Sequence, residues 1–141
     1  MNNNNRIEKD SIALVNYFFE NVWQAPHRLN IIDELMTEDY KITSGGKVIK
    51  GRNSFKTWVQ GFHNVLLDAK TVSVDAFSNK EGTKVVSRWI CTGKNNGVFG
   101  LESDKKPISF TGIAIWNIKD NHFTECWVER SALETYRNHS L

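Results

Sequence analysis

Residues 83–131 decide the fold, through the blocks TKVVSRWICTGKNNGVFG (83–100), KPISFTGIAIWNIKD (106–120) and NHFTECWVERS (121–131). All three blocks are rich in the β-branched and aromatic residues that favour strands. Turn-forming residues separate them, and Asp120-Asn121 is typical of a tight hairpin. The segment therefore predicts an antiparallel meander, with Pro107 at the start of its middle strand, where a missing N–H is tolerated.

The upstream half of the chain predicts helices that cover one face of this meander. Apolar residues recur at helical spacing from about Lys9 to Trp23, over Leu29–Met36 and from Phe55 to Leu66. Asn53 or Ser54 is the expected cap of the third helix. The other predicted elements are a short strand from Glu38 to the turn at Gly45-Gly46, a strand over Thr71–Phe77, the long strand Lys84–Gly93, a brief edge at Val98-Phe99 and a loop over 101–106. Helices followed by an antiparallel sheet predict one α+β domain over residues 9–141, after a disordered polar tail at 1–8.

Composition and charge exclude several classes of protein. The chain has 18 basic and 16 acidic residues, a net charge of +2, and no basic stripe, so no nucleic-acid partner is expected. Its start lacks the apolar region of a secretory signal, and no stretch approaches the roughly 20 apolar residues of a membrane span. We therefore expect a soluble, cytoplasmic protein without a membrane partner. Cys91 and Cys126 are expected to be reduced, and the histidines have no metal-ligand spacing, so no metal site is predicted.

The order of these elements and several local signatures resemble the SnoaL-like polyketide cyclases. That family lies within the large cone-shaped α+β superfamily named after nuclear transport factor two, which also includes the ketosteroid isomerases. The matching residues are Phe18-Phe19, Ile32-Asp33-Glu34-Leu35, Glu38-Asp39-Tyr40, Gly51 and Phe55, Arg88-Trp89, Gly93, Gly97, Ser109-Phe110-Thr111-Gly112 and Phe123-Thr124-Glu125-Cys126-Trp127.

The resemblance implies a specific architecture and chemistry. Three N-terminal helices would pack in the concave face of a strongly curved, mostly antiparallel sheet and leave a deep, mostly apolar pocket. Such pockets serve small apolar or aromatic ligands. The superfamily's enzymes use them for proton abstraction beside a carbonyl, ring closure, dehydration or epoxide opening, without a cofactor. The exposed sheet face commonly pairs in this superfamily, which implies a homodimer.

The pocket row follows from the alternation of side chains along a strand. The Glu-x-Trp signature of the last strand, placed as in the family, turns Cys126, Val128 and Arg130 inward and leaves Glu125, Trp127 and Glu129 outward. The residues then expected to line the pocket are Phe18, Trp58, Phe62, Trp89, Cys91, Phe110, Ala114, Trp116, Cys126 and Val128.

The catalytic groups of the relatives are replaced in this chain. Val128 occupies the position of the catalytic aspartate of SnoaL-like cyclases, and Asn95 that of a common histidine. Ser44, Phe18 and Ala114 occupy the positions of the acid and base groups of ketosteroid isomerases. The familiar mechanisms therefore cannot be carried over directly.

Three residues remain as candidate catalytic groups. Arg130 could hold a carboxylate or an enolate oxygen, or form a salt bridge with a nearby Glu at the rim. His63 could act as a base or be an exposed or structural histidine. Asn95 could face the pocket near the end of its strand.

Two functions remain open. The first is a cofactor-independent cyclase or isomerase acting on a polyketide-like or cyclic carbonyl compound. The alternative is a non-catalytic ligand-binding or accessory protein of the same fold, which the loss of the familiar acid and base groups favours. A dimerisation module is a third reading, compatible with either.

Overall fold

The computed structural model describes the backbone of residues 3–139 and the side chains of residues 10–139. The helices and strands, in chain order, are α1 (Asn3–Val22), α2 (Ile31–Leu35), β1 (Met36–Ser44), β2 (Lys47–Lys50), α3 (Arg52–Val65), β3 (Leu66–Ser78), β4 (Lys84–Asn95), β5 (Pro107–Lys119), β6 (His122–Arg130) and α4 (Ala132–His139), with a short 3-10 turn at Val98–Gly100. No helix within residues 3–139 is long and apolar enough to cross a membrane.

The six strands form one curled sheet in the order β2-β1-β6-β5-β4-β3. All neighbours are antiparallel except β1 and β6, which are parallel. The predicted meander is β4, β5 and β6, and the hairpin at Asp120-Asn121 has the positive φ angles (51° and 61°) of a tight turn. The predicted α+β class with a mostly antiparallel sheet is therefore confirmed.

The helices pack against the concave face of this sheet. Residues of β5 alternate strictly between buried and exposed over 107–116, as expected for a strand with one face on a core. Phe18 of α1 is at the centre of that core, with its ring centroid 5.6–6.3 Å from those of Phe55, Trp116 and Phe123. Aromatic packing thus joins α1 and α3 to the sheet.

Several element boundaries differ from the sequence prediction. Helix α1 begins at Asn3 rather than near Lys9, so residues 3–8, predicted as a disordered tail, are helical; residues 1 and 2 lie outside the described residues. Helix α3 begins at Arg52 after Gly51, whose φ of 93° favours glycine, and the predicted caps lie inside the helix. Helix α2 is shorter than predicted because Met36 is already extended.

The sequence prediction also lacked two elements and mistook a third. Strand β2 continues the chain beyond Gly45-Gly46 as a hairpin with β1, and α4 follows β6. The predicted edge at Val98-Phe99 is a 3-10 turn, in which Phe99 has a φ of 57°.

Candidate functional site

A narrow cavity of about 50 Å³ lies between α1, α3 and the concave face of the sheet. All ten residues expected to line a pocket surround it, together with Arg130. Strand register places the lining residues of β4, β5 and β6 side by side. Trp89 is paired with Gly112, Ala114 with Val128, and Trp116 with Cys126. The alternation along β4, β5 and β6 therefore brings side chains that are distant in sequence to one place.

Six further residues line the same cavity and were not predicted. They are Phe19, Trp23, Tyr40, Ile42, Phe55 and Thr71. Tyr40 and Ile42 belong to β1, which reaches the cavity through its parallel pairing with β6. Tyr40 and Ile42 are two residues apart and so share a strand face, which the sequence alone shows. The sequence does not show that β1 pairs with β6, so these two residues were not predicted to reach the cavity.

Gly112 makes room for one wall of the cavity. A Cβ atom on Gly112 would lie 2.1 Å from Cζ2 of Trp89, so the Trp89 indole occupies the space above the glycine. Trp89 is buried and meets Phe110 edge-on, with 5.8 Å between the ring centroids.

Arg130 places a guanidinium group among aromatic rings at the cavity. Its Cζ atom lies 5.5 Å from the ring centroid of Trp58, 6.0 Å from that of Phe62 and 5.3 Å from that of Phe99. These distances are within the range of cation–π attraction. Burial lowers the pKa of Arg130 from its ordinary value, and the guanidinium still carries its positive charge at neutral pH.

No carboxylate among residues 10–139 pairs with the Arg130 side chain, and no hydrogen bond to it forms there. Glu129 is exposed on the other face of β6, and Glu125 lies 3.7 Å from Lys41. The alternative of a salt bridge to a nearby Glu is therefore wrong. Arg130 is therefore a partly buried cation without an anionic partner among the described residues.

A second polar group lies deeper in the cavity, where Tyr40, Trp116 and Cys126 meet. All three side chains are at most 2% exposed. The Tyr40 hydroxyl interacts with the side chains of Cys126 and Trp116, although neither contact has the geometry of a strong hydrogen bond. Burial raises the pKa of Tyr40, with a smaller contribution from Cys126, so the phenol stays protonated at neutral pH.

The two cysteines are free and buried, as expected for reduced thiols. Burial raises the pKa of Cys91 to about 11, against a smaller opposing effect of Thr71 and Arg130. Burial also raises the pKa of Cys126. Both are therefore protonated thiols at neutral pH rather than nucleophilic thiolates.

His63 does not line this cavity. It lies at the end of α3 beside a separate open cleft, with its ring centroid 4.1 Å from that of His27 and 5.5 Å from that of Trp23. Burial, and then the nearby His27, lower the pKa of His63 from 6.5 to about 4, so it is neutral at neutral pH. The structure thus does not bring His63 and Arg130 together.

Asn95 is also absent from the cavity lining. It is completely buried, and its Nδ2 donates to the Glu102 carbonyl at 2.8 Å and to Asp104 at 3.1 Å. Its Oδ1 accepts from the backbone N–H groups of Gly97 and Val98. The amide is thus fully used in holding the loop after β4, which is a structural role.

Among residues 10–139, those that line the cavity include no Asp, Glu or His. Within the described part of the chain, no group of three or more His, Cys, Asp or Glu residues is arranged to hold a metal ion. The cavity therefore combines aromatic walls with one cation at Arg130 and neutral polar side chains at its deep end.

This architecture is that of a SnoaL-like cone with an aromatic interior. The family described as SnoaL-like polyketide cyclase matches residues 13–138, and the chain belongs to that family. Among curated proteins, none matches the chain with significance.

Solved structures share the fold at low sequence identity. A proposed SnoaL-like polyketide cyclase from Jannaschia sp. CCS1 is 17% identical, with a TM-score of 0.80 over 91% of this chain and 90% of that one. A proposed polyketide cyclase from Xanthomonas campestris pv. campestris is 18% identical, with a TM-score of 0.82 over 93% and 97%. AclR, a proposed hydroxylase from Streptomyces galilaeus, is 16% identical, with a TM-score of 0.77 over 94% and 98%. At such identities the likeness shows the fold alone.

Proposed function

We propose that this protein is a small-molecule cyclase or isomerase that acts, without a cofactor, on a compact cyclic or polyketide-like carbonyl compound carrying an anionic oxygen. The observation that carries this proposal is the unpaired guanidinium of Arg130 in an aromatic cavity. An anionic ligand would supply the missing partner, because a guanidinium binds carboxylate and enolate oxygens through two parallel hydrogen bonds.

The size of the cavity favours a compact substrate. About 50 Å³ is far below the roughly 300–1,000 Å³ of typical ligand sites. A polycyclic compound would require several lining rings to shift, and a small ring compound far fewer. The flat rings of Trp58, Phe62 and Phe110 suit an unsaturated or cyclic carbon skeleton.

The proposed catalysis depends on charge stabilisation and orientation. Within the described part of the chain, neither a carboxylate nor an imidazole lines the cavity, so no strong base is found among these residues. Arg130 would instead stabilise the negative oxygen that develops when a carbon beside a carbonyl loses its proton, an effect that is strongest where water is excluded. The narrow walls would hold the reacting atoms close together, and the substrate or solvent would carry the proton.

The alternative is a binding protein that captures such a ligand without changing it. The absence of a base from the cavity specifically favours it. The two functions differ in outcome, since the enzyme converts a bound carbonyl compound and the binding protein returns it unchanged. Chromatography of each ligand after incubation with the protein separates them.

The experiment for the binding step compares melting temperatures with benzoate and with uncharged benzyl alcohol. A ligand that binds only the folded protein, at about 100 times its Kd, stabilises it by roughly 2.7 kcal/mol. We expect benzoate to raise the melting temperature of the wild type and the Arg130→Gln variant to bind it about 10-fold to 100-fold more weakly, as for the loss of a charged hydrogen bond. Arg28→Gln, at an exposed arginine outside the cavity, is the control. Equal benzoate binding by wild type and Arg130→Gln would refute the role of Arg130.

We further propose that two copies pair through the convex face of the sheet. Register aligns Phe77, Val86, Ile115 and Trp127 in one row across four strands, which we term the outer row. Phe77 is 60% exposed, and Ile115 and Trp127 are each 38% exposed. A contiguous apolar row of this kind is typical of an interface.

Sedimentation tests the dimer. We expect the wild type to sediment as a dimer and Ile115→Lys as a monomer, because a buried lysine in the outer row would lack a partner. The control is Leu133→Lys on α4, where the leucine is 55% exposed and is not a member of the outer row. A monomeric wild type would contradict the proposal.

A further inference from the structure

We propose that Phe99 is a positioning residue for Arg130, because its ring holds the guanidinium group beside Trp58 and Phe62 and so keeps the positive charge at the cavity before a ligand arrives. This deepens the proposed function, on which it rests, since it assigns a further residue to the recognition of the anionic oxygen. Phe99 lies outside the cavity lining and would act through the arginine.

The first support is that aromatic rings position the guanidinium group of Arg130. Among residues 10–139, no ion pair or hydrogen bond fixes it. Of the three rings near its Cζ atom, that of Phe99 is the closest, at 5.3 Å. Trp58 and Phe62 belong to α3, whereas Phe99 belongs to the turn after β4. Contacts from two separate parts of the chain restrict a long side chain that would otherwise sample many rotamers.

The second support is the backbone at Phe99. Its φ of 57° and ψ of 20° lie in the left-handed region, which is rare for a bulky residue. Such a conformation persists only where the surrounding structure holds it, and it is frequent at functional sites. Val98, which is 1% exposed, and Leu101, which is 8% exposed, anchor the turn on either side. The ring of Phe99 also meets Phe110 of the cavity wall edge-on, with 4.8 Å between the centroids.

The third support is the way in which the buried amide of Asn95 fixes this turn. Its Oδ1 accepts hydrogen bonds from the backbone N–H groups of Gly97 and Val98, at 2.9 and 3.1 Å. Its Nδ2 donates to Asp104, which also contacts His139 of α4 at 2.8 Å. Asn95 does not line the cavity, but it supports the turn whose ring meets Arg130.

The first test needs no ligand. Protons over the face of an aromatic ring resonate at lower frequency in NMR spectra, so the side-chain protons of Arg130 should lie well below those of the exposed Arg28. Arg130→Gln identifies the signals by their loss. Phe99→Leu keeps apolar bulk without a ring and should reduce the shift, whereas Phe99→Tyr should restore it. All three residues meet the same left-handed backbone, so its strain is matched.

The second test is the preference of the protein for benzoate over uncharged benzyl alcohol, given by the ratio of their Kd values. Phe99→Leu should reduce this preference about threefold to tenfold, because binding must then order a free arginine side chain. Phe99→Tyr should keep the wild-type ratio, and so should the control Tyr17→Leu, at an exposed tyrosine on α1. A general loosening of the cavity would weaken both ligands and leave the ratio unchanged.

Several outcomes would overturn the proposal. These are Arg130 signals that coincide with those of Arg28 in the wild type, an unchanged shift or ratio in Phe99→Leu, and a Phe99→Tyr variant that behaves like Phe99→Leu. The wild-type comparison of the two arginines stands even where Phe99→Leu does not fold. Failure of the proposed function looks different, since benzoate binding would then be indifferent to Arg130→Gln while the ring-shifted signals of Arg130 remained.

Discussion

The substitution of glycine by alanine at two positions should change stability in opposite directions. Gly112 of β5 faces Trp89, and an added Cβ would lie 2.1, 2.5 and 2.6 Å from three atoms of the indole. Ordinary contacts begin near 3.4 Å, so the ring would have to move by more than 1 Å. Trp89 is buried against Phe110 and has little room to do so.

Overpacking of this kind costs typically about 1–3 kcal/mol. We therefore expect Gly112→Ala to lower the free energy of unfolding by about 2 kcal/mol, measured by urea denaturation with an unchanged m-value. Gly61 is the matched control, because it is exposed inside α3 and an added Cβ there meets nothing within 4 Å. Gly61→Ala should stabilise the protein by about 0.5–1 kcal/mol through its better helix propensity.

A double-mutant cycle assigns the effect to the indole. Trp89→Leu removes the clashing ring atoms, so Gly112→Ala should cost much less in that background, and the two changes should couple by more than about 1 kcal/mol. If Gly112→Ala were neutral in the wild type, or equally costly without the indole, the explanation of this wall of the cavity would be refuted.

Two further predictions concern titratable groups. The pKa of His63 in the folded protein is lowered to about 4, so the unfolded chain binds a proton first as the pH falls. The free energy of unfolding should therefore decrease as the pH falls from about 6.5 to 4. In that window the melting temperature of His63→Gln should depend less on pH than that of the control His122→Gln, at an exposed histidine. An identical slope in both variants would contradict this. Because burial raises the pKa of both Cys91 and Cys126, neither should react with a disulfide reagent at pH 7.5 until the protein is unfolded; rapid labelling of the folded protein would count against the burial of these thiols.

The inward-facing residues of β6 could be predicted because side chains alternate along a strand. Once Cys126 was placed inward, alternation put Val128 and Arg130 on the same face, and the structure places both there. A two-residue hairpin at Asp120-Asn121 would by itself place Trp116 opposite Glu125. The structure has a register shift beside Asn117, which instead pairs Trp116 with Cys126 and Ala114 with Val128, so the inward positions of β5 depend on a β-bulge as well as on local alternation.

Other features of the site depend on contacts that are far apart in sequence. Tyr40 reaches the cavity only because β1 pairs in parallel with β6, more than 80 residues later. Asn95 follows the predicted strand Lys84–Gly93, and the loop after it folds back so that Glu102 and Asp104 accept hydrogen bonds from its amide. His63 directly follows the cavity residue Phe62, and the roughly 100° turn between helix neighbours points it toward the other cleft.

Helix α4 was missed although a signal for it was present. Ser131 is followed three residues later by Glu134, a typical signature at the start of a helix. The helix is short and has no buried residue, so the apolar periodicity that revealed α1 and α3 is weak there.

A crystal structure of the protein with benzoate would test most directly whether Arg130 binds an anionic ligand. We expect both carboxylate oxygens about 2.7–2.9 Å from the Arg130 guanidinium nitrogens, with the benzoate ring between Trp58 and Phe62. A carboxylate bound elsewhere, with Arg130 still unpaired among its aromatic neighbours, would contradict this expectation.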